Sequence, residues 1–210
     1  MRRFAFLAAC LLAAGVLAGC GGTPEPGDAV RREAFESAEV QFAAPAEGDT
    51  IAIFDTSAGE VRAVLYPDLA PMAVDNFVGL ANQGYYNGLS FHRVIYGFVV
   101  QSGDATGTGL GGSSIWSGNP FPAAYTDKLH HYAGALCAPV SPDASPSTLS
   151  QFYFVQALPS SVDKAAQQTL ADAGVRQEVI DAYAAVGGLP YLDNTDTVFG
   201  QIYEGMDVVD

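Results

Sequence analysis

One stretch of the chain places a fixed positive charge where a reacting group could meet it. It reads Phe91-His92-Arg93-Val94-Ile95-Tyr96-Gly97-Phe98-Val99-Val100-Gln101-Ser102-Gly103-Asp104 and sets one permanent cation, Arg93, among apolar side chains. Arginine does not shed its proton in proteins, and it presents a rigid fork of donors. Such a fork is suited to stabilising an acceptor that strengthens as a reaction proceeds. Taken alone, an arginine in this setting is commonly a surface side chain laying its stem along apolar neighbours. Tyr96-Gly97 and Ser102-Gly103 are turn-permissive, and Phe98, Val99, Val100 and Gln101 between them read as a strand. Alternation along that strand puts Val99 and Gln101 on one face and Phe98 and Val100 on the other.

Other chemistries find less support. His130-His131 is the one histidine pair. Adjacent strand residues face opposite ways, so the pair is a poor chelate, and a metal site needs more ligands at suitable spacing. No metal and no cofactor is expected. Gly107-Thr108-Gly109-Leu110-Gly111-Gly112 looks superficially like a phosphate cradle. It lacks the Lys-Ser/Thr of a P-loop, and no strand–helix unit follows. Its glycines are better read as permitting positive φ in a tight loop. No Gly-x-Ser-x-Gly nucleophile elbow is present.

Composition bounds the rest. The 210 residues are 49% apolar, enough for one cored domain with some surplus, and the formal charge is −14. That charge argues against nucleic acid, whose phosphates need a basic face. Met1-Arg2-Arg3 followed by the apolar run to Leu17 reads as a secretory signal, too short for a comfortable membrane span. It ends in Leu17-Ala18-Gly19-Cys20, which resembles a bacterial lipobox. That resemblance implies residues 1–19 as a lipoprotein signal peptide, cleavage before Cys20, lipid on its thiol and an extracytoplasmic, membrane-anchored protein. Cys10 would leave with the signal. Cys137 is then alone, a buried small hydrophobe with no disulfide partner. Residues 20–49, rich in Pro, Gly and acids, read as a flexible tether.

The elements that must position the Arg93 stretch follow from pattern. Ile51–Phe54 and Val61–Tyr66 form a hairpin about Thr56-Ser57-Ala58-Gly59. Residues 71–82 form a helix, with Pro71 in its first turn and Gly84 past its end, and Phe77, Leu80 and Ala81 on one face. Ala133–Ala138 and Ser150–Val155 read as strands. On the second, Gln151 and Tyr153 share one face, with Phe152 and Phe154 on the other. Ser160 with Asp163 reads as a capping box opening two short helices, residues 162–173 and 175–186, broken at Gly174.

The Arg93 stretch resembles the signature of the cyclophilin family of peptidyl-prolyl isomerases, Phe-His-Arg-(Ile/Val)-Ile-x-Gly-Phe-(Met/Val)-x-Gln-Gly-Gly-Asp, with Ser102 where the family has Gly. Further matches run from Ile51 to Asp210, among them Ser114-Ile115-Trp116, Ser150-Gln151-Phe152-Tyr153-Phe154 and Val198-Phe199-Gly200. The resemblance implies a mainly β fold over residues 50–210: a closed antiparallel barrel with capping helices. Residues 160–188 would be a helical insertion beside the groove. Family members continue through a second helix and a last strand, so both are expected to be missing here.

The implied activity is isomerisation of X-Pro bonds in extracytoplasmic polypeptides, by a monomer. Arg93 would be the donor to the twisted amide, and Gln101 would orient Arg93 or the peptide backbone. Phe98, Val99, Tyr153 and Leu192 would hold the proline ring, with Gln151 and Tyr191 lining the groove. Several positions depart from the family. Val99 stands for methionine, Tyr153 for phenylalanine, Tyr191 for tryptophan and Asp196 for histidine. Ala138-Pro139-Val140 stands for Met-Ala-Asn, and proline removes an N–H there. These departures imply an altered peptide preference. They also leave open the alternative of a non-catalytic proline-peptide-binding or chaperone module on the same fold.

Overall fold

The computed structural model describes residue 30, residues 35–140 and residues 147–210. The signal peptide, Cys20, the first part of the tether and the loop bearing Pro142 and Pro146 lie outside the described residues.

Nine strands and four α-helices are present among the described residues. The strands are β1 (Thr50–Thr56), β2 (Gly59–Leu65), β3 (Arg93–Ile95), β4 (Val99–Ser102), β5 (Phe121–Pro122), β6 (Ala135–Ala138), β7 (Ser147–Thr148), β8 (Phe152–Val155) and β9 (Thr197–Glu204). The helices are α1 (Pro71–Asn82), α2 (Lys164–Asp172), α3 (Gln177–Val186) and α4 (Met206–Val209). Seven strands make one antiparallel sheet in the order β1-β2-β9-β6-β8-β4-β3, and β5 pairs with β7 apart from it. The closure expected of a barrel is not what this order gives. Among the described residues β1 and β3 are edges with one partner each, so the sheet is a curled half-barrel.

Alternation sorts the sheet into two apolar faces. Phe152, Phe154, Leu136 and Phe199 pack with Ala73, Val74 and Phe77 of α1. Their neighbours Tyr153, Val155, Cys137 and Val198 face the other way, with Val99 and Leu189. One residue of register thus decides which side chains join the α1 core and which join the second core, whose Val99 and Tyr153 reach the site. Helix α1 starts at Pro71, whose missing N–H costs nothing in a first turn. Its buried face is Ala73, Val74, Asn76, Phe77 and Leu80. Ala81, expected on that face, is exposed. Cys137 is fully buried, and burial pushes its thiol pKa up.

The insertion packs against a third cluster, Tyr132, Val162, Val179, Ala182 and Tyr183. Helix α2 is capped by Asp163, whose carboxylate accepts the Ala166 amide at 2.9 Å. Ser160, read as the cap, lies instead in a 3₁₀ turn over Pro159–Ser161. Phe35 and Phe42 join the same cluster. Glu39 takes two hydrogen bonds from the Arg176 guanidinium, at 2.6 and 3.0 Å. Gln41 is buried, bonded to His130 and Gln201. So residues 35–42, within the stretch read as a tether, are packed on the domain. A bidentate ion pair and aromatic burial hold them there. Among the described residues, no helix is long and apolar enough to cross a membrane.

Candidate active site

Strand register builds the site. The β3–β4 hairpin sets Arg93 opposite Gln101, and β4 sets Gln101 opposite Tyr153 on β8. Directly opposed residues share a face, so these three side chains form one row across three strands. From Arg93 and Gln101 a hydrogen-bonded relay runs on to Gln151, the residue before β8. Arg93 Nη1 donates to Gln101 Oε1 at 3.2 Å, and Gln101 Nε2 donates to Gln151 Oε1 at 2.7 Å. Gln151 Nε2 then donates to the carbonyls of Gly109 and Gly111, at 2.9 and 2.6 Å. The guanidinium also lies over the Phe98 ring, 5.1 Å from its centroid. Two contacts therefore hold a side chain that would otherwise sample many rotamers.

Arg93, Gln101 and Gln151 line a cavity of about 570 Å³, whose apolar wall is Phe98, Val99, Tyr153 and Leu192. Phe98 was expected on the face opposite Val99, yet both line the cavity. It falls in the turn before β4, where its amide donates to Ile95 O at 3.0 Å, so strand alternation does not reach it. Tyr191 does not line the cavity and is 66% exposed. The 3₁₀ turn Pro190–Leu192 directs Leu192 inward and leaves Tyr191 outside. No residue of the insertion lines the cavity either; its helices pack behind Tyr132.

Residues outside the sequence-derived set also line the cavity, among them His92, Val140 and Asp196. His92 precedes β3, and neither ring nitrogen has a hydrogen-bond partner among the described residues. Its place beside Arg93 in the motif was the available signal. The Tyr153 hydroxyl donates to Asp196 Oδ2 at 2.7 Å, and the Val140 amide donates to Asp196 Oδ1 at 2.9 Å. Burial pushes the Tyr153 phenol pKa well up, with Cys137 and Asp196 adding to it, so the hydroxyl stays a donor. Three departures from the family pattern therefore meet at one corner and satisfy one another.

The glycine-rich loop is closed by its own anion. The carboxylate of Asp104 accepts the amides of Thr106, Thr108, Gly109 and Gly111, at 2.7–3.1 Å. Burial alone would raise its pKa, but these amides and the Thr106 hydroxyl outweigh it and hold the carboxyl well below its usual range. Donors that could have faced a phosphate are thus taken by a side chain. Gly103 makes the approach possible. Its φ is +90°, and a Cβ there would collide with the Ser150 carbonyl. Ser102, where the family has Gly, sits in extended β4 and donates to Ser90 O at 3.0 Å.

Behind Leu192, Asp193 gathers the histidine pair. Its carboxylate takes His130 Nδ1 at 2.9 Å and His131 Nδ1 at 2.8 Å, together with the Tyr183 hydroxyl and the His131 amide. The two rings were expected to diverge. They converge because residues 130 and 131 precede β6 and are not in a strand. Burial pushes against ionisation, but the two histidines more than offset it and hold Asp193 at a pKa of about 2. Among the described residues, no group of three or more His, Cys, Asp or Glu is arranged to hold a metal.

Known proteins resemble this chain in sequence and fold. The family model for cyclophilin-type peptidyl-prolyl cis-trans isomerases matches residues 51–210. A Staphylococcus saprophyticus protein, named by inference as a peptidyl-prolyl cis-trans isomerase, is 44% identical over 159 residues, 75% of this chain and 78% of its own length. A Staphylococcus aureus protein with the same naming is 41% identical over 160 residues, 76% of this chain and 78% of its own. A crystal structure of a Cryptosporidium parvum cyclophilin-type isomerase, obtained in the presence of the dipeptide Ala-Pro, superposes with a TM-score of 0.57 at 26% identity, over 76% of this chain and 81% of that one. The chain belongs to the cyclophilin-type peptidyl-prolyl cis-trans isomerases.

Proposed function

We propose that the cavity binds an X-Pro segment and lowers the barrier to its cis–trans flip, with Arg93 as the donor. That barrier is about 20 kcal/mol, because the C–N bond must lose its double-bond character. No covalent bond forms or breaks, so neither a nucleophile nor a cofactor is needed. As resonance fades, the imide nitrogen gains a lone pair and becomes an acceptor. A guanidinium aimed at it stabilises the twisted amide more than the planar one. Phe98, Val99, Tyr153 and Leu192 would seat the proline ring. Gln101 would orient Arg93, and Gln151 would align the peptide along the glycine-rich loop. The observation that carries this reading is the guanidinium itself, fixed between Gln101 and Phe98 at the edge of an apolar hollow. A prolyl-isomerisation assay tests it. Wild type should exceed Arg93→Ala by about a hundredfold or more in kcat/KM. A wild type no faster than that variant would remove the catalytic claim and leave a peptide-binding module.

The protein's setting is proposed on sequence grounds. A signal over residues 1–19 and lipid on Cys20 would anchor a monomeric domain outside the cytoplasm, where it would assist the folding of exported chains. Replacing Cys20 with Ser should release the protein from membranes or leave the signal unprocessed. Unchanged membrane association and maturation would rule the anchor out.

A further inference from the structure

Besides Arg93, the groove holds a second charge, and among the described residues no opposite charge pairs with it. Asp196 lines the same cavity as Arg93. Its two protein contacts, the Tyr153 hydroxyl and the Val140 amide, are both neutral donors. An ionised carboxylate offers about four acceptor positions, so these contacts leave room for more. Among the described residues, no Lys, Arg or His nitrogen forms an ion pair with it. Arg93 does not neutralise it either, being held on Gln101 and the Phe98 ring.

Position makes this carboxylate useful. Tyr153 forms part of the apolar wall, and its hydroxyl end touches Asp196. The charge therefore sits at the hydroxyl end of the wall proposed for the proline ring, within reach of a residue flanking that proline. Hydrogen bonds to Tyr153 and Val140 fix it in place, so little rotamer entropy is lost when a cation arrives. A carboxylate there attracts lysine or arginine and repels glutamate or aspartate. Building the repulsion in is as much a source of selectivity as the attraction.

Resting on the isomerase reading, we infer that Asp196 is a specificity-determining residue. It selects X-Pro segments that carry a basic side chain near the proline, at the Tyr153 end of the groove, and disfavours acidic ones. It contacts the flanking residue and not the reacting amide.

The test is a set of peptides identical except for Lys or Glu placed in turn at the two positions before and the two after proline. kcat/KM is measured for wild type, Asp196→Asn and Asp196→His. Partly exposed ion pairs support a Lys/Glu ratio of about threefold or more at one or more positions in wild type. Both variants should bring that ratio below threefold. Each ratio is taken within one protein preparation, so partial unfolding of a variant cancels. If one variant fails to fold, the other decides. A wild-type ratio below threefold at every position overturns the inference. So does a ratio that survives both substitutions, since it would then belong to the overall acidity of the chain. If no peptide is isomerised at all, the isomerase reading falls and takes this one with it. A flat charge profile in an active enzyme removes this one alone.

Discussion

The two sides of the groove are built differently. On one side Arg93, Gln101 and Gln151 form a relay of side chains that ends on the glycine-rich loop, which is pinned by Asp104. Strand pairing sets Arg93 opposite Gln101, and each member sits in a motif that can be read along the chain. On the other side Tyr153, Asp196 and Val140 come from three separate stretches and meet through two hydrogen bonds. Each of these positions, taken singly, departs from the family. Together they are a substitute set, in which a hydroxyl on the pocket wall is answered by a carboxylate. A register-built wall announces itself in sequence; a compensated corner shows only once the chain is folded.

The largest effect expected concerns the first side. Asp104→Ala would strand four loop amides and displace the carbonyls that hold Gln151. Urea unfolding should show a loss of about 2–4 kcal/mol. A loss under about 1 kcal/mol would mean that the relay does not depend on the loop.

The second side rests on Asp193, which ties the segment carrying Leu192 and Asp196 to both histidines and to Tyr183 of the insertion. Its pKa in the fold is about 2, against an ordinary value of 3.8. The contribution is therefore complete above about pH 4 and is lost as acid protonates the group toward pH 2, on the order of 2 kcal/mol. Stability measured from pH 7 down to pH 2.5 should show the gap between wild type and Asp193→Asn closing in acid. Parallel curves would contradict that support.

Much of this arrangement is legible in the sequence, and what is not has three physical causes. Helix α1 was readable to its ends because Pro71 and Gly84 act locally. The Gln151 and Tyr153 face was readable because strands alternate. Phe98 escapes the alternation rule because it is a turn residue one position before β4. Residues 35–42 were read as tether because what holds them is remote: Glu39 finds its arginine 137 residues away. The convergence of His130 and His131 on Asp193 was hidden likewise, since no spacing rule links residues 62 or 63 apart outside regular structure. Tyr191 was carried over from a family position whose side chain here faces solvent.

A smaller effect tests the corner itself. Tyr153→Phe leaves Asp196 with one donor fewer and should cost about 1 kcal/mol. In a double-mutant cycle with Asp196→Asn, the two changes should couple by about 0.5–1.5 kcal/mol. Strict additivity would show that the two departures do not compensate and would dissolve the contrast between the walls.

The central claim is that Arg93 acts through its fork, aimed by Gln101 and Phe98, and not through charge alone. Arg93→Lys keeps the charge and removes the fork and the stacking. The account predicts that prolyl-isomerase kcat falls by at least about tenfold while KM moves less than about threefold, the mark of an interaction made mainly in the transition state. A lysine variant that retains full kcat would contradict it.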